Sequence, residues 1–369
     1  MQKKFSRMNL CQCFRVIQKE WILICVILFL ILFNTIRKYT YIDMDKVSLN
    51  YIISGGNTTN RLLEAKINKI KYICGDACDT SMPMGNSLQQ DRIYFLSKSF
   101  DCKEMFRAEG FDSKILITPP VRIPPSLYSY FTYQNQIIIR NYYLNNAGQS
   151  ATNRATTWSR IYVNKLVETY KKYGVGPKFY GSYGIDETKR LDFALKTQTN
   201  ITGKRVLVVG SMSPWVECMA LANGAAMVTT LEYGKIISQH EKLRTLIPSE
   251  YEKLFLENKL EPFDIILSFS SLEHSGLGRY GDALNPWGDI ITMAKLHCTT
   301  TRDAVAIIGL PYDTTGKDSI EFNAHRCYGP LMLSHIFTNW KLKWLSEPKY
   351  EDHPCSFHKY HGIYVVQKA

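Results

Sequence analysis

The chain has 369 residues, 45% of them hydrophobic and 21% charged, with a formal net charge of +12. Those values exclude a disordered chain and leave room for one large domain or two ordinary ones with a sizeable core. The basic excess admits nucleic acid, an anionic surface or an acidic substrate, so the chain's location has to choose among them.

Residues 1–20 carry Lys3, Lys4, Arg7, Arg15 and Lys19 and read as a cytosolic tail. Trp21 to Phe33, "WILICVILFLILF", is continuously apolar, and no charge falls between Glu20 and Arg37. The uncharged window, 21–36, is about 16 residues and predicts a short transmembrane signal-anchor helix suited to a thin early-secretory bilayer. A cleaved leader is disfavoured because no small-residue cleavage site follows, and a buried helix because the run is apolar on every side. After the run Arg37, Lys38 and Lys46 are diluted by Asp43 and Asp45, so the basic bias keeps the N-terminus cytosolic. The expected topology is single-pass type II, with the bulk of the chain in the lumen of the Golgi or endoplasmic reticulum. Sequons at Asn57 and Asn200 accord with that side of the membrane, and lumenal placement argues against nucleic acid.

The ten cysteines fit the same picture. Cys11 and Cys13 precede the apolar run and Cys25 lies within it; the rest would be lumenal, where disulfides persist. Cys74-Gly-Asp-Ala-Cys78 with Cys102 is the densest group and a place for one bridge. Its C-x3-C spacing, with no second pair and no nearby histidines, does not make a zinc site.

Residues 37–65 read as a stem, with turn formers and no helical period. Residues 66–156 form a mixed α/β segment with strands expected at "RIYFL" and "QIIIRNYYL" around the proline cluster "TPPVRIPPS". From 157 to 369 the pattern becomes regular. A helix is expected over 157–174, strands at "KRVLVVG" (204–210) and "AMVTTLEY" (226–233), and a helix between them at 214–225. "KIISQHEKLRTLI" predicts a further helix, "PFDIILSFSS" (262–271) a strand, "GDIITMAKLHCTT" a helix, and "DAVAIIGLPY" (303–312) a strand. "WKLKWLS" and "GIYVVQK" close the chain as strands. Alternation of this kind implies a doubly wound, mostly parallel sheet of Rossmann type, with a ligand crevice beyond the strands' carboxyl ends.

Three stretches at those ends carry chemistry. In "RVLVVGSMSPWVE", Gly210, Ser211 and Ser213 stand where a ligand backbone approaches a helix start; the structural alternative is a tight turn into the helix at Pro214. Glu232 ends the next strand, where an acid commonly accepts hydrogen bonds from ribose hydroxyls. "SSLEHSGLGRYGD" sets Ser270 and Ser271 at the fourth strand's end, then Glu273 and His274. His274 is the candidate general base, with Glu273 or Asp282 orienting it, and Arg279 the candidate contact for an anionic group. Asp282 and Asp289 have a capping role as the alternative.

These residues carry a resemblance. The order of elements is that of class I S-adenosylmethionine-dependent methyltransferases, and "FDIILSFSSLEH" looks like their strand-four motif. More closely, "VVGSMSPWVE", "TTLEYGK", "SSLEHSGLGRYGD", "NPWGD" and "FNAHRCYGP" resemble the nematode-rich family catalogued as domain of unknown function 268, over about residues 155–369. The resemblance implies a methyltransferase-like fold, with Gly210 and Ser211 against the methionine part of S-adenosylmethionine, Glu232 at the ribose, and Ser270 to His274 on the reacting side. Val208, Met212 and Ser213 depart from the acidic residue and repeated glycines usual in the first motif.

Two histidine-bearing stretches follow. His325 and Arg326 come after the fifth strand and are candidates for substrate contact. His353, His358 and His361 match no zinc spacing, so no metal site is expected. The reading is an O-methyltransferase of the secretory pathway acting on a glycan hydroxyl. Its rivals are a non-catalytic lumenal binding protein on a degenerate methyltransferase fold and a type II glycosyltransferase, whose Asp-x-Asp would have to be Asp43-Met44-Asp45, hard against the membrane.

Overall fold

The computed structural model describes residues 65–81, 93–107, 119–146, 155–313, 317–346 and 361–369. The tail, the apolar run 21–36, nearly all of the stem with Asn57, and His353 and His358 lie outside them. Among the described residues no helix is long and apolar enough to cross a membrane. The described residues from Ile67 to Ala369 form one compact unit.

The segment before residue 157 is a set of short pieces pinned to later ones. A 3-10 turn, Gly75–Cys78, closes under a Cys74–Cys78 disulfide. Helix α1, Cys102–Arg107, is bridged through Cys102 to Cys298. Helix α2, Pro125–Phe131, starts on a proline at its first turn. The expected strand at "RIYFL" is not a strand: residues 93–96 run without a ladder. Their neighbourhood bonds elsewhere, Tyr94 N–H to Ser334 Oγ and Asn339 N–H to the Leu96 carbonyl. Strand β1, Ile138–Tyr142, forms as expected.

Strand β2, Thr156–Trp158, leads into helix α3, Arg160–Tyr173, where the Ser159 hydroxyl accepts from Tyr162 N–H and Gly174 ends the helix. Helix α4, Ile185–Gln198, follows; it has weak apolar periodicity and was not anticipated. Next come β3, Arg205–Val209, helix α5, Trp215–Ala222, and β4, Met227–Leu231.

The helix expected over 235–247 is absent. In its place are two short strands, β5 (Ile236–Ser238) and β6 (Leu243–Leu246). The reason is tertiary: β4 has an open edge, and β6 pairs with it in parallel from Val228↔Leu243 to Leu231↔Leu246, while β5 pairs with β2. Ladder bonds outweigh local helix propensity here. The helix instead occupies Pro248–Leu256 (α6), with Pro248 at its start and the Glu250 side chain accepting from Ile247 N–H.

Strand β7, Phe263–Phe269, is apolar on both faces and precedes helix α7, Gly288–Cys298, and β8, Thr300–Pro311. Strands β9 (Ser319–Asn323) and β10 (His325–Cys327), helix α8 (Pro330–Ile336), β11 (Trp340–Leu345) and β12 (His361–Lys368) complete the chain.

The main sheet is seven-stranded in the order β11-β12-β8-β7-β3-β4-β6. Neighbours are parallel except at β12, which runs antiparallel to β8 and β11. This is the doubly wound, methyltransferase-like arrangement. One face buries Val206, Val208, Ile265, Leu267 and Ile307 against α3, α4 and α5. Leu207 and Ile266, one residue out of phase, are equally buried on the other face, as a covered parallel sheet requires. The chain winds outward from β3 to β4 and β6, then returns to β7 and β8 on the opposite side. That reversal opens a crevice at the carboxyl end of β3.

Candidate active site

Strand β3 ends at Gly210, whose N–H still pairs with the Leu231 carbonyl at 2.9 Å. Its φ is +73°, and a Cβ there would lie 1.9 Å from Ser271 Oγ, so only glycine fits. Ser211 is buried and gripped at two atoms. Its N–H donates to Glu232 Oε2 at 2.8 Å; its Oγ lies 2.8 Å from the Ser213 carbonyl oxygen and 3.1 Å from Glu217 Oε2. The loop is thereby folded onto the tip of β4 and the first turn of α5.

Glu232 also accepts from Tyr233 N–H, with Gly234 N–H contributing. Burial raises its pKa while these backbone donors oppose the rise. A carboxylate offers about four acceptor sites, so Glu232 retains capacity for a ligand hydroxyl.

At the tip of β7, Ser270 has φ +52°, a strained value for a residue with a side chain. That conformation sends Ser270 Oγ to Glu273 Oε1 at 2.6 Å. Glu273 is fully buried and its Oε2 has no hydrogen-bond partner; burial pushes its pKa up to about 7. His274 Nδ1 is 2.8 Å from the Ala324 carbonyl, and its Nε2 is 3.5 Å from Glu273 Oε1. A carbonyl only accepts, so Nδ1 carries a hydrogen and the lone pair of the neutral ring sits on Nε2, beside the carboxyl group. Burial, then the Arg279 charge, hold the imidazole pKa well below its ordinary value. Glu273 and His274 therefore form a dyad whose shifts are opposed: burial raises the carboxyl pKa and lowers that of the imidazole, so both neutral forms are favoured.

The remaining expected residues separate into cleft and support. Asp282 lines the cleft, but its carboxylate gathers the N–H groups of Gly276 (2.8 Å), Gly278 (3.2 Å) and Tyr280 (3.2 Å), shaping the glycine loop. Arg279 lies beside His274: it donates to the Ala324 carbonyl (3.2 Å) and to Asn146 Oδ1 (2.9 Å) and stacks on Tyr280. Arg326 is not a surface contact. It is 1% exposed and donates to the carbonyls of Ser275 (2.6 Å) and Pro286 (3.1 Å), with Asp289 at 3.5 Å. His325 is 3% exposed in β10, its ring 6.5 Å from that of His274. Both were expected to touch substrate; the structure places them behind the site, because β10 packs under the loop instead of extending past it. Glu321, His325 and Cys327 converge within 4.8 Å, but Cys327 is disulfide-bonded, which removes the thiolate a metal would need. His361 packs on Phe269 and Tyr183. Asn200 is exposed.

Two residues were missed. Tyr183 lines the cleft, hydrogen-bonds with Ser270, and has its pKa pushed up to about 12 by burial. Nothing in local spacing marks it. Glu217 is fully buried under the Ser211 loop and accepts from Thr230 Oγ1 at 2.8 Å. Its signal was available: one acid inside the apolar helix "PWVECMALA".

The tips of β3, β4 and β7 thus finish side by side around a cavity of about 260 Å³, lined by Gly210, Ser211, Glu232, Ser271, His274 and Tyr183 among others. A recess of about 90 Å³ adjoins it, between Glu232, Tyr251 and Lys295. The residues present fit an adenosylated cofactor: a backbone laid bare at Gly210, spare acceptor capacity on Glu232, and a dyad across the cavity.

Residues 203–355 match the family model described as Caenorhabditis protein of unknown function, DUF268. No curated protein matches the chain. Solved structures that resemble it include S-adenosylmethionine-dependent methyltransferases and putative hemolysins. The Burkholderia thailandensis 1,6-didemethyltoxoflavin-N1-methyltransferase, solved with S-adenosylhomocysteine, aligns at TM-score 0.37 and 13% identity, over 49% of this chain and 77% of that one. An S-adenosylmethionine-dependent methyltransferase from Mesorhizobium loti aligns at TM-score 0.34 and 12% identity, over 51% of this chain and 100% of that one. The cyclopropane synthase MmaA2 from Mycobacterium tuberculosis aligns at TM-score 0.32 and 15% identity, over 49% and 76% respectively.

Proposed function

We propose that the domain binds S-adenosylmethionine across the tips of β3 and β4 and transfers its methyl group to an oxygen nucleophile, a glycan hydroxyl. The observation that carries this reading is His274, backed by the buried Glu273, lining one cavity with Gly210 and Glu232. When bound, the cofactor supplies an electrophilic methyl on a sulfonium centre. The chain's own residues do the rest. Gly210 and Ser211 offer backbone at close range, and Glu232 accepts from the ribose. The dyad takes the hydroxyl proton: His274 Nε2 is the nearer base, and the buried Glu273 carboxylate stabilises the charge that forms. Burial, then the charge of Arg279 held by Ala324 and Asn146, keeps the imidazole neutral beforehand. Much of the rate would come from in-line positioning of the hydroxyl against the methyl group.

The reading includes a place for the reaction. The apolar run 21–36, its basic flank and the sequons at Asn57 and Asn200 support a single-pass type II anchor with a lumenal domain. The Cys74–Cys78 and Cys102–Cys298 disulfides support an oxidising compartment. Glycans are the common lumenal acceptors, which is the support for that substrate class.

A second reading, a non-catalytic binding protein on the same fold, is favoured by one observation: Glu232 is already engaged with Ser211 N–H. Calorimetric titration with S-adenosylmethionine comes first, and absence of binding would remove the enzyme reading. Labelled-methyl transfer to a panel of glycans then separates the two. His274→Ala should leave the cofactor affinity within about twofold and cut transfer by about a hundredfold or more.

A further inference from the structure

Ser211 Oγ has one hydrogen and two close oxygen neighbours. The Ser213 carbonyl, at 2.8 Å, can only accept, so it takes that hydrogen. Glu217 Oε2 lies 3.1 Å from the same hydroxyl. With the serine hydrogen directed at Ser213, the shorter of the two contacts, the second becomes a full hydrogen bond when the carboxyl group supplies a hydrogen of its own. Glu217 Oε1 meanwhile accepts from Thr230 Oγ1 at 2.8 Å. The pattern of one donor and one acceptor is that of a carboxylic acid, not a carboxylate.

We propose that Glu217 is carried as a protonated acid that props the Ser211–Ser213 turn, and that ionising it turns the Ser211 hydroxyl away from Ser213 and loosens the cleft's hold on an adenosylated ligand. Glu217 is a positioning residue: it acts through the loop and touches no ligand. The inference rests on the cofactor reading above for the nature of the ligand, though not for the state of Glu217.

The surroundings favour the proton. Glu217 is 0% exposed. The loop and β4 present only hydroxyls to it, Ser211 and Thr230, and the charged group acting on it is Glu232 at the end of β4, of like sign. Its neighbour on α5, Cys218, is a buried thiol held protonated, whose sulfur faces the Val163 carbonyl of α3. Burial, chiefly, pushes the Glu217 pKa up to about 7. Ionisation would place a bare carboxylate at the hydroxyl, the stronger acceptor of the two, and draw the serine hydrogen from Ser213. The same residue's N–H is the link to Glu232. A single proton thus governs how the β3 loop meets the β4 tip.

The test uses the whole lumenal chain and S-adenosylhomocysteine as the probe. Wild-type affinity should fall about tenfold from about pH 6 to about pH 8, because only the protonated fraction binds well. Glu217→Gln keeps an acceptor for Thr230 and a donor for Ser211, so its affinity should stay flat over that range. Infrared difference spectra of Glu273→Gln, which removes the other carboxyl group raised to about 7, should show a protonated carboxylic acid band that disappears as pH rises through neutrality and is missing once E217Q is added. The Ser211 and Met212 amide resonances should titrate with it. A Glu273→Gln protein with no such band, or a wild type with flat affinity, overturns the proposal, as does E217Q with the wild-type slope. If the probe binds at no pH, the methyl-donor reading falls, while the infrared and amide titrations still decide Glu217. If E217Q does not fold, the Ser211 and Met212 amide titrations in Glu273→Gln decide, since that variant removes the other carboxyl group raised to about 7.

Discussion

Gly210 and Ser271 meet across the tips of β3 and β7 so closely that a Cβ on Gly210 would sit 1.9 Å from Ser271 Oγ and 2.4 Å from its Cβ. Gly210→Ala must also hold a left-handed φ, at about 1 kcal/mol. The variant should lose about 2 kcal/mol of stability or more and at least about tenfold in S-adenosylhomocysteine affinity. Urea unfolding and calorimetry read the two effects. Adding Ser271→Gly should recover part of the stability, since it removes the overlap and leaves only the backbone strain.

Arg326 bridges the loop after β7 to the start of α7 by donating to backbone carbonyls, and it faces the buried Asp289. Arg326→Ala leaves the carbonyls without their donor and strips Asp289 of its buried counter-charge, though Tyr328 still donates to it, at a cost of about 3–5 kcal/mol. Arg326→Lys should rescue little, because an ammonium lacks the planar fork that reaches both carbonyl groups. Denaturant midpoints decide. A neutral Arg326→Ala would return this residue to the cleft surface.

The Cys102–Cys298 disulfide ties α1 to the last turn of α7 over a separation of 196 residues. Loop-closure entropy sets its worth at about 5 kcal/mol at most. Cys102→Ser/Cys298→Ser should lower the melting temperature sharply, and reductant should lower that of the wild type by more than that of the variant, which keeps the Cys74–Cys78 bridge and the bonded Cys327.

Buried neutral histidines make the fold acid-sensitive. Burial, with the Lys98 and Lys368 charges respectively, pushes His335 down to about 3 and His297 to about 4. Their unfolded value is about 6.5, so below it the unfolded chain binds protons that the native state refuses. The stability contribution is whole above about pH 6.5 and drains away as pH falls. For His335 the loss from about pH 7 to about pH 5 is about 2 kcal/mol. His335→Gln should therefore show a shallower acid limb in urea unfolding at those two pH values.

The alternation of apolar strands and helices after residue 203 was enough to read a doubly wound sheet. β3, α5, β4, β7, α7, β8, β11 and β12 form within a few residues of their expected places, because each carries a local pattern strong enough to survive any context. Periodicity could not choose between helix and strand for 235–247. The open edge of β4 chose, and an edge is a property of the sheet. Residues 93–96 show the converse: a β-rich run stays out of any ladder because Ser334 and Asn339 satisfy its neighbourhood from 240 residues away.

The candidate site divides along the same line. Gly210, Glu232 and the Glu273–His274 pair were legible because strand ends in a parallel sheet point to one edge, so order along the chain predicts proximity in space. Residue type alone could not tell which charged groups face the cleft. Arg326 and His325 look like ligands in a loop and turn out to be its underside. Tyr183 became visible only when the segment before α4 closed over the tips, whereas Glu217 was already marked as the one acid in an apolar helix. Local pattern determined the elements and the edge where they end; packing decided which side chains are buried as braces and which are left facing the cavity, because burial depends on what arrives from elsewhere in the chain.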